Sequence, residues 1–155
     1  MIDRNTAKKK RPLSITLIIV WIILAIIRGV SKIFASDRIE INKQIFGSTF
    51  SFVNYGIDIL ILIGFVIFLF MFVKRKRDTW KYFIYFLAFL MIGVLTGTSL
   101  MFLNFEKFAE LTVSASGKSL ADILPIFLFI SPILVLGFYA LVMYFVKKNR
   151  IYFEK

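Results

Sequence analysis

The sequence contains no cysteine and no histidine among its 155 residues. Without cysteine the chain has no disulfide and no thiolate cluster, and without histidine it has no His-based catalytic triad. Haem and zinc sites that use these two side chains are excluded as well. The composition therefore predicts no metal site and no cofactor. It also excludes the classes of four-helix membrane protein that depend on cysteines.

Acidic residues are scarce: the chain has 9 Asp and Glu and 20 Lys and Arg, which gives a net charge of +11. Segments 1–12, 74–81 and 147–155 hold the whole excess, since the rest of the chain has as many acidic as basic residues. By the positive-inside rule, both termini and segment 74–81 are predicted to be cytoplasmic. These cations flank apolar runs and are not interleaved with stacking aromatics in a soluble domain, so no nucleic-acid partner is predicted.

Long apolar runs dominate the chain, at about 13–34, 52–73, 80–103 and 123–146. About 20 apolar residues form a helix that crosses the hydrocarbon core of a bilayer. None of the four runs has the polar face that a helix of a soluble bundle would show. The first run is long for a signal peptide and lacks a clean cleavage site, so we expect it to be retained. The sequence predicts an all-α integral membrane four-helix bundle, one domain over 1–155, in the plasma membrane.

Two more polar segments join these runs on the predicted outer side. Residues 38–46 alternate weakly, which is compatible with a short strand or an interfacial helix, whereas 105–111 have helical spacing. The stretch Ser-Gly-Lys-Ser at 116–119 resembles the end of a phosphate-binding loop, but Thr112 stands where that motif requires glycine. Five acids are dispersed over these segments, as on a solvated surface, so no catalytic residue and no enzyme is predicted. They are Asp37, Glu40, Glu106, Glu110 and Asp122.

An arginine and an aspartate lie inside the first two apolar runs. Arg28 and Asp58 are each 16 residues from the inner end of their helix, which places both about 24 Å along it. Three explanations stay open: a salt bridge between the two, side chains that reach the outer headgroups, or a functional polar cavity. The other polar residues at about this level are Thr96, Thr98 and Ser131.

Small residues recur at intervals of four in two of the predicted helices. Gly93 and Gly97 form a small-xxx-small pattern in the third helix, and Ala25 and Gly29 have the same spacing in the first. Such patterns let two helix backbones approach closely. We therefore predict that these four residues serve helix packing, within one chain or between two.

Short motifs stand beside the first and last predicted helices. They are Arg-Pro-Leu at 11–13 and Tyr-Phe pairs at 144–145 and 152–153. With these motifs the chain resembles a loose group of small uncharacterised prokaryotic four-helix membrane proteins. The resemblance implies four helices with both ends inside, and it implies no activity.

The sequence favours a non-enzymatic role as an accessory subunit or assembly partner, because little polar chemistry lies within the apolar runs. The expected partners are membrane lipids and either another membrane protein or a second copy of the chain. The alternative is a small oligomeric transporter or channel that uses the polar layer around Arg28 and Asp58.

Overall fold

A computed structural model of the chain describes residues 11–116 and 124–153, with the backbone alone for 36–38, 111–116 and 124. Within these residues the chain is helical and has no strand, which confirms the predicted all-α class and, of the two forms left open for 38–46, favours the helix. The helices are α1 (Leu13–Phe34), α2 (Ser36–Phe46), α3 (Ser48–Val73), α4 (Thr79–Leu103), α5 (Phe105–Ser116), α6 (Leu124–Lys148) and a 3₁₀ turn (Arg150–Tyr152).

Four of these helices, α1, α3, α4 and α6, are long and apolar enough to cross a membrane. The prediction of four spans is confirmed, although the second span begins at Ser48, earlier than predicted. Residues 38–46 belong to helix α2, which ends at Phe46. The next residue, Gly47, has a φ of 87°, in the left-handed region that favours glycine. The Gly-Lys-Ser part of the 116–119 motif and the basic tail at 1–10 lie outside the described residues.

Three parts of the chain meet at one end of the bundle. The Tyr152 hydroxyl accepts hydrogen bonds from Arg11 Nε (3.1 Å) and from Arg75 Nε (2.6 Å). Asn149 Nδ2, just after α6, donates to Ser14 Oγ in the first turn of α1 (3.0 Å). We call this end the basic end, and the opposite end, near α2 and α5, the far end. Each spanning helix thus has a basic half and a far half.

The turn between α3 and α4 closes the basic end. The Arg75 N–H donates to the Phe72 carbonyl (3.3 Å) and the Lys76 N–H to the Met71 carbonyl (3.0 Å), which together form a Schellman motif. Arg75 occupies the left-handed position of this motif, with φ at 50°, where glycine is usual. Its guanidinium lies 4.5 Å from the centroid of the Tyr152 ring. The arginine therefore supplies a contact that glycine cannot.

The hydrophobic core fills the basic half. Phe83 of α4 is fully buried, and its ring centroid lies 5.0 Å from that of Phe68 and 4.8 Å from that of Phe72. Phe153, also fully buried, places its ring 5.2 Å from Phe72. Further buried residues of this cluster are Ile15, Ile18, Ile19, Ile22, Phe65, Leu87, Leu90, Val142, Val146 and Tyr152.

The four spanning helices form two closely packed pairs, α1 with α3 and α4 with α6. Contacts between the two pairs are fewer. The core of the basic half joins the pairs, and towards the far end it is replaced by open space.

Candidate functional site

Two adjoining cavities occupy the far half of the bundle. The larger, about 890 Å³, lies between α1, α3 and α6, and the smaller, about 530 Å³, is lined mainly by α3 and α4. Lys32, Ile61, Phe65 and Tyr139 line both. We therefore treat them as one space, the far-half cavity. Each of the two parts is in the size range of small-molecule sites in proteins.

Small residues make room for this cavity. Ala25 and Gly29 of α1 line the larger part, and Gly93 and Gly97 of α4 line the smaller. A Cβ atom added to Gly93 or Gly97 would have no atom within 4 Å, apart from its own helix backbone and chain neighbours. A Cβ atom at Gly29 would lie 3.1 Å from Leu62 Cδ1 of α3. The two small-residue faces therefore do not pack on each other: Gly29 allows α1 to approach α3, and the α4 glycines border open space.

Asp58 forms its ion pair with a lysine of α1. Lys32 Nζ lies 2.5 Å from Asp58 Oδ1, and the two side chains are 37% and 14% exposed. Arg28, the partner considered from the sequence, lies one helical turn nearer the basic end on the same face of α1. Lys32 was overlooked because it stands at the end of the apolar run, although its spacing of four from Arg28 was a usable signal.

Further polar residues lie between this ion pair and α2. Asn42 of α2 and Asn54 of α3 line a small space beside Lys32 and Asp58. The Ser51 hydroxyl, 2% exposed, donates to the Ile39 carbonyl of α2 (3.2 Å) and fixes α2 against α3. The α3 side of the cavity mouth is thus built from hydrogen-bonding groups.

Arg28 reaches the larger part of the cavity without a hydrogen bond or an ion pair to any residue that the structure describes. Its side chain is exposed. Among the described residues that line the cavity, Arg28, Lys32 and Asp58 are the charged ones, and their charges sum to +1. Lys32 is paired with Asp58, so of the two described cations in the lining Arg28 is the one placed to attract an anion.

The remaining members of the predicted polar layer divide between the cavity and the helices themselves. Thr96 lines the smaller part of the cavity. The Thr98 hydroxyl donates to the Val94 carbonyl of its own helix (2.8 Å) and does not line the cavity. Ser131 is half-buried and lines neither part. The structure thus brings Arg28, Asp58 and Thr96 to one space and leaves the other two outside it.

Aromatic rings form the floor of the cavity on the side of the basic half. The Trp21 ring centroid lies 5.6 Å from Phe65, 5.3 Å from Phe138 and 6.1 Å from Tyr139. The Trp21 ring of α1 therefore packs against α3 and α6. This floor separates the polar groups of the far half from the core below.

Across residues 11–116 and 124–153, no three Asp or Glu side chains come close enough to hold a metal ion together. Comparisons with models of protein families, with curated proteins and with solved structures found no match to the chain.

Proposed function

We propose that the protein is a non-enzymatic, multi-pass protein of the cell membrane that binds a ligand in the far-half cavity and works as a small transporter or carrier. One observation carries this proposal: the far half of the bundle encloses a cavity lined by charged residues, whereas the basic half is filled by an apolar core. Ionisable residues inside a membrane span are costly, and they commonly mark ligand or ion pathways. A site open at one end and sealed at the other is what a carrier presents in one of its states.

The proposed orientation puts the basic end in the cytoplasm and the far end outside. In the described residues the basic end carries Arg11, the cations of 74–81 and those of 147–150. Such an accumulation of Lys and Arg favours the cytoplasmic side. The cavity would then open towards the outer leaflet and the outside of the cell.

Cysteine labelling tests both the cavity and its orientation, because the natural chain has no cysteine and gives no background. Thr96→Cys places one thiol in the cavity lining, and Leu95→Cys places one on the neighbouring exposed apolar face of α4. A membrane-impermeant thiol reagent added to intact cells is expected to label Thr96→Cys and to leave Leu95→Cys unlabelled. Arg77→Cys, in the α3–α4 turn, is expected to react only after the cells are permeabilised.

Two results would contradict the proposal. If Thr96→Cys and Leu95→Cys are equally unreactive, the cavity is not open to water. If Arg77→Cys reacts in intact cells, the orientation is reversed.

A second candidate is an accessory subunit or assembly partner, for another membrane protein or for a second copy of the chain. The open space beside Gly93 and Gly97 favours it, since small residues admit the backbone of another helix. Native mass spectrometry after gentle detergent extraction from the host tests it: a stoichiometric partner that Gly97→Leu releases supports this role. A monomer without partner, with Thr96→Cys labelled, supports the carrier.

A further inference from the structure

The larger part of the far-half cavity has a side opening between α1 and α6. Leu24 of α1 and Leu134 of α6 line it, yet they are 58% and 67% exposed. They therefore form a rim that is partly in the cavity and partly on the outside of the bundle. Around a membrane-spanning helix the outside is lipid. A ligand can reach Arg28 through this opening without leaving the bilayer.

The walls of this opening suit a molecule with one charged and one apolar part. Arg28 lines the cavity at the far end of the opening, and Lys32 lies one helical turn further out. Below Arg28 the same face of α1 continues with Ala25 and Trp21, both apolar and both lining the cavity. The polar surface thus lies towards the far end and the apolar surface lies below it. A lipid has its headgroup and its acyl chain in the same order.

We infer that the far-half cavity binds an anionic lipid from the surrounding leaflet, with its phosphate at Arg28 and an acyl chain along Ala25 to the ring of Trp21. The inference rests on the proposed function and specifies its ligand. Charge complementarity carries it, because the described lining residues have a net positive charge and Arg28 has no hydrogen bond or ion pair to a described residue. A guanidinium can bind two phosphate oxygens at once, which suits a headgroup better than a compact ammonium does.

The lysine–aspartate pair next to Arg28 has a positioning role in this arrangement. Asp58 holds Lys32 against α3 at 2.5 Å, so the lysine does not compete fully for the phosphate. Asp58 also places a negative charge at the α3 side of the cavity. The lipid phosphate is thereby directed to the α1–α6 side, where Arg28 and the opening are.

Trp21 makes the inference directly measurable. The chain has two tryptophans, and Trp80 is at the start of α4 near the basic end, so Trp80→Phe leaves Trp21 as the single tryptophan, which can be excited selectively. This variant is reconstituted in phosphatidylcholine vesicles that contain increasing fractions of phosphatidylglycerol with brominated chains, which quench tryptophan on contact. A parallel series uses brominated phosphatidylcholine. Saturation of quenching reports occupancy of the cavity beside Trp21.

We expect brominated phosphatidylglycerol to saturate the quenching at about a fivefold lower fraction than brominated phosphatidylcholine. One basic group close to anionic headgroups contributes about 1 kcal/mol, which corresponds to that ratio. Arg28→Gln is expected to remove the difference, and Arg28→Lys to keep part of it. The matched control Arg77→Gln removes a cation at the basic end, outside the cavity, and should leave the difference unchanged.

The outcomes separate this inference from the proposed function. Saturable quenching that is equal for the two lipids overturns the anionic lipid and leaves a cavity that binds neutral amphiphiles. An unchanged phosphatidylglycerol preference in Arg28→Gln also overturns it. Quenching that rises with the bulk lipid fraction and never saturates shows that no lipid is held, whereas failure of the proposed function appears separately, as an unlabelled Thr96→Cys.

Discussion

The basic and far halves of the bundle are built from the same four spanning helices and yet differ in what faces the centre. In α4 the stripe that begins with Phe83, Leu87 and Leu90 continues, at the same helical spacing, as Gly93 and Gly97. The first three are buried in the core, and the two glycines border the cavity. The same helices can therefore form a packed half and an open half. The difference comes from a change from large to small residues along one helix face.

The helix α1 shows the same change. Ile15, Ile18 and Ile22 are buried, and the face continues through Ala25 and Gly29 into the cavity lining. In a membrane no hydrophobic effect drives helices together, so packing and hydrogen bonds decide where they touch. In the basic half, aromatic rings that pack against one another hold the helices together. The far half keeps polar side chains that a fully packed interior could not accommodate.

The largest expected contrast is between two phenylalanines of α4. Phe83→Ala removes a fully buried ring from the centre of the core and is expected to destabilise the protein by about 3–5 kcal/mol. Phe89→Ala, at a cavity-lining ring that is 55% exposed, should cost about 1 kcal/mol or less. Unfolding in mixed micelles with increasing denaturing detergent measures both. Equal losses would show that the far half is packed as densely as the basic half.

A second contrast concerns the hydroxyl at the basic end. Tyr152→Phe leaves Arg11 and Arg75 without their shared acceptor, and because both donors are charged the expected loss is about 2 kcal/mol. Tyr144→Phe is the control, since Tyr144 is 57% exposed and its ring lies on the outside of α6. Thermal unfolding in detergent compares the two. If they melt alike, the hydrogen bonds of Tyr152 do not hold the basic end together.

Glycine substitutions test the packing between α3 and α4. A Cβ atom at Gly64 would fall 2.6 Å from Phe86 Cε2, so Gly64→Ala is expected to cost about 1–3 kcal/mol through displacement of the Phe86 ring. Gly97→Ala adds its methyl group to open space and should be neutral. The same thermal assay serves here. A neutral Gly64→Ala would mean that the ring moves aside freely.

The smallest effect is expected for the ion pair of the far half. A double-mutant cycle with Lys32→Leu and Asp58→Leu should give a coupling of about 1 kcal/mol, since the lysine is partly exposed. The corresponding cycle with Arg28→Leu and Asp58→Leu should give a coupling near zero. The free energies come from detergent-induced unfolding of the four variants in each cycle. A larger coupling to Arg28 than to Lys32 would reverse the assignment of the pair.

Hydropathy and charge were sufficient to predict the four spanning helices, because length and apolar content are local properties of the chain. The helical form of 38–46 was left open, since its weak alternation suits a strand as well and the choice depends on packing against α3. In the site, Arg28, Asp58 and Thr96 were found by their level along the helices. Asn54 and Tyr139 were missed, because level alone does not tell which face of a helix turns inward, and Lys32 was missed because it stands at the end of the apolar run.

The contacts of Tyr152 have a consequence for the order in which the protein is assembled. Arg11 and Arg75 are synthesised before α4 and α6, whereas their common acceptor follows all four spanning helices in the chain. The hydrogen bonds of Tyr152 to the start of α1 and to the α3–α4 turn can thus form only after α6 has entered the bilayer. A chain that stalls before Tyr152 would contain all four membrane spans and still lack the two hydrogen bonds that join Arg11 and Arg75 at the basic end.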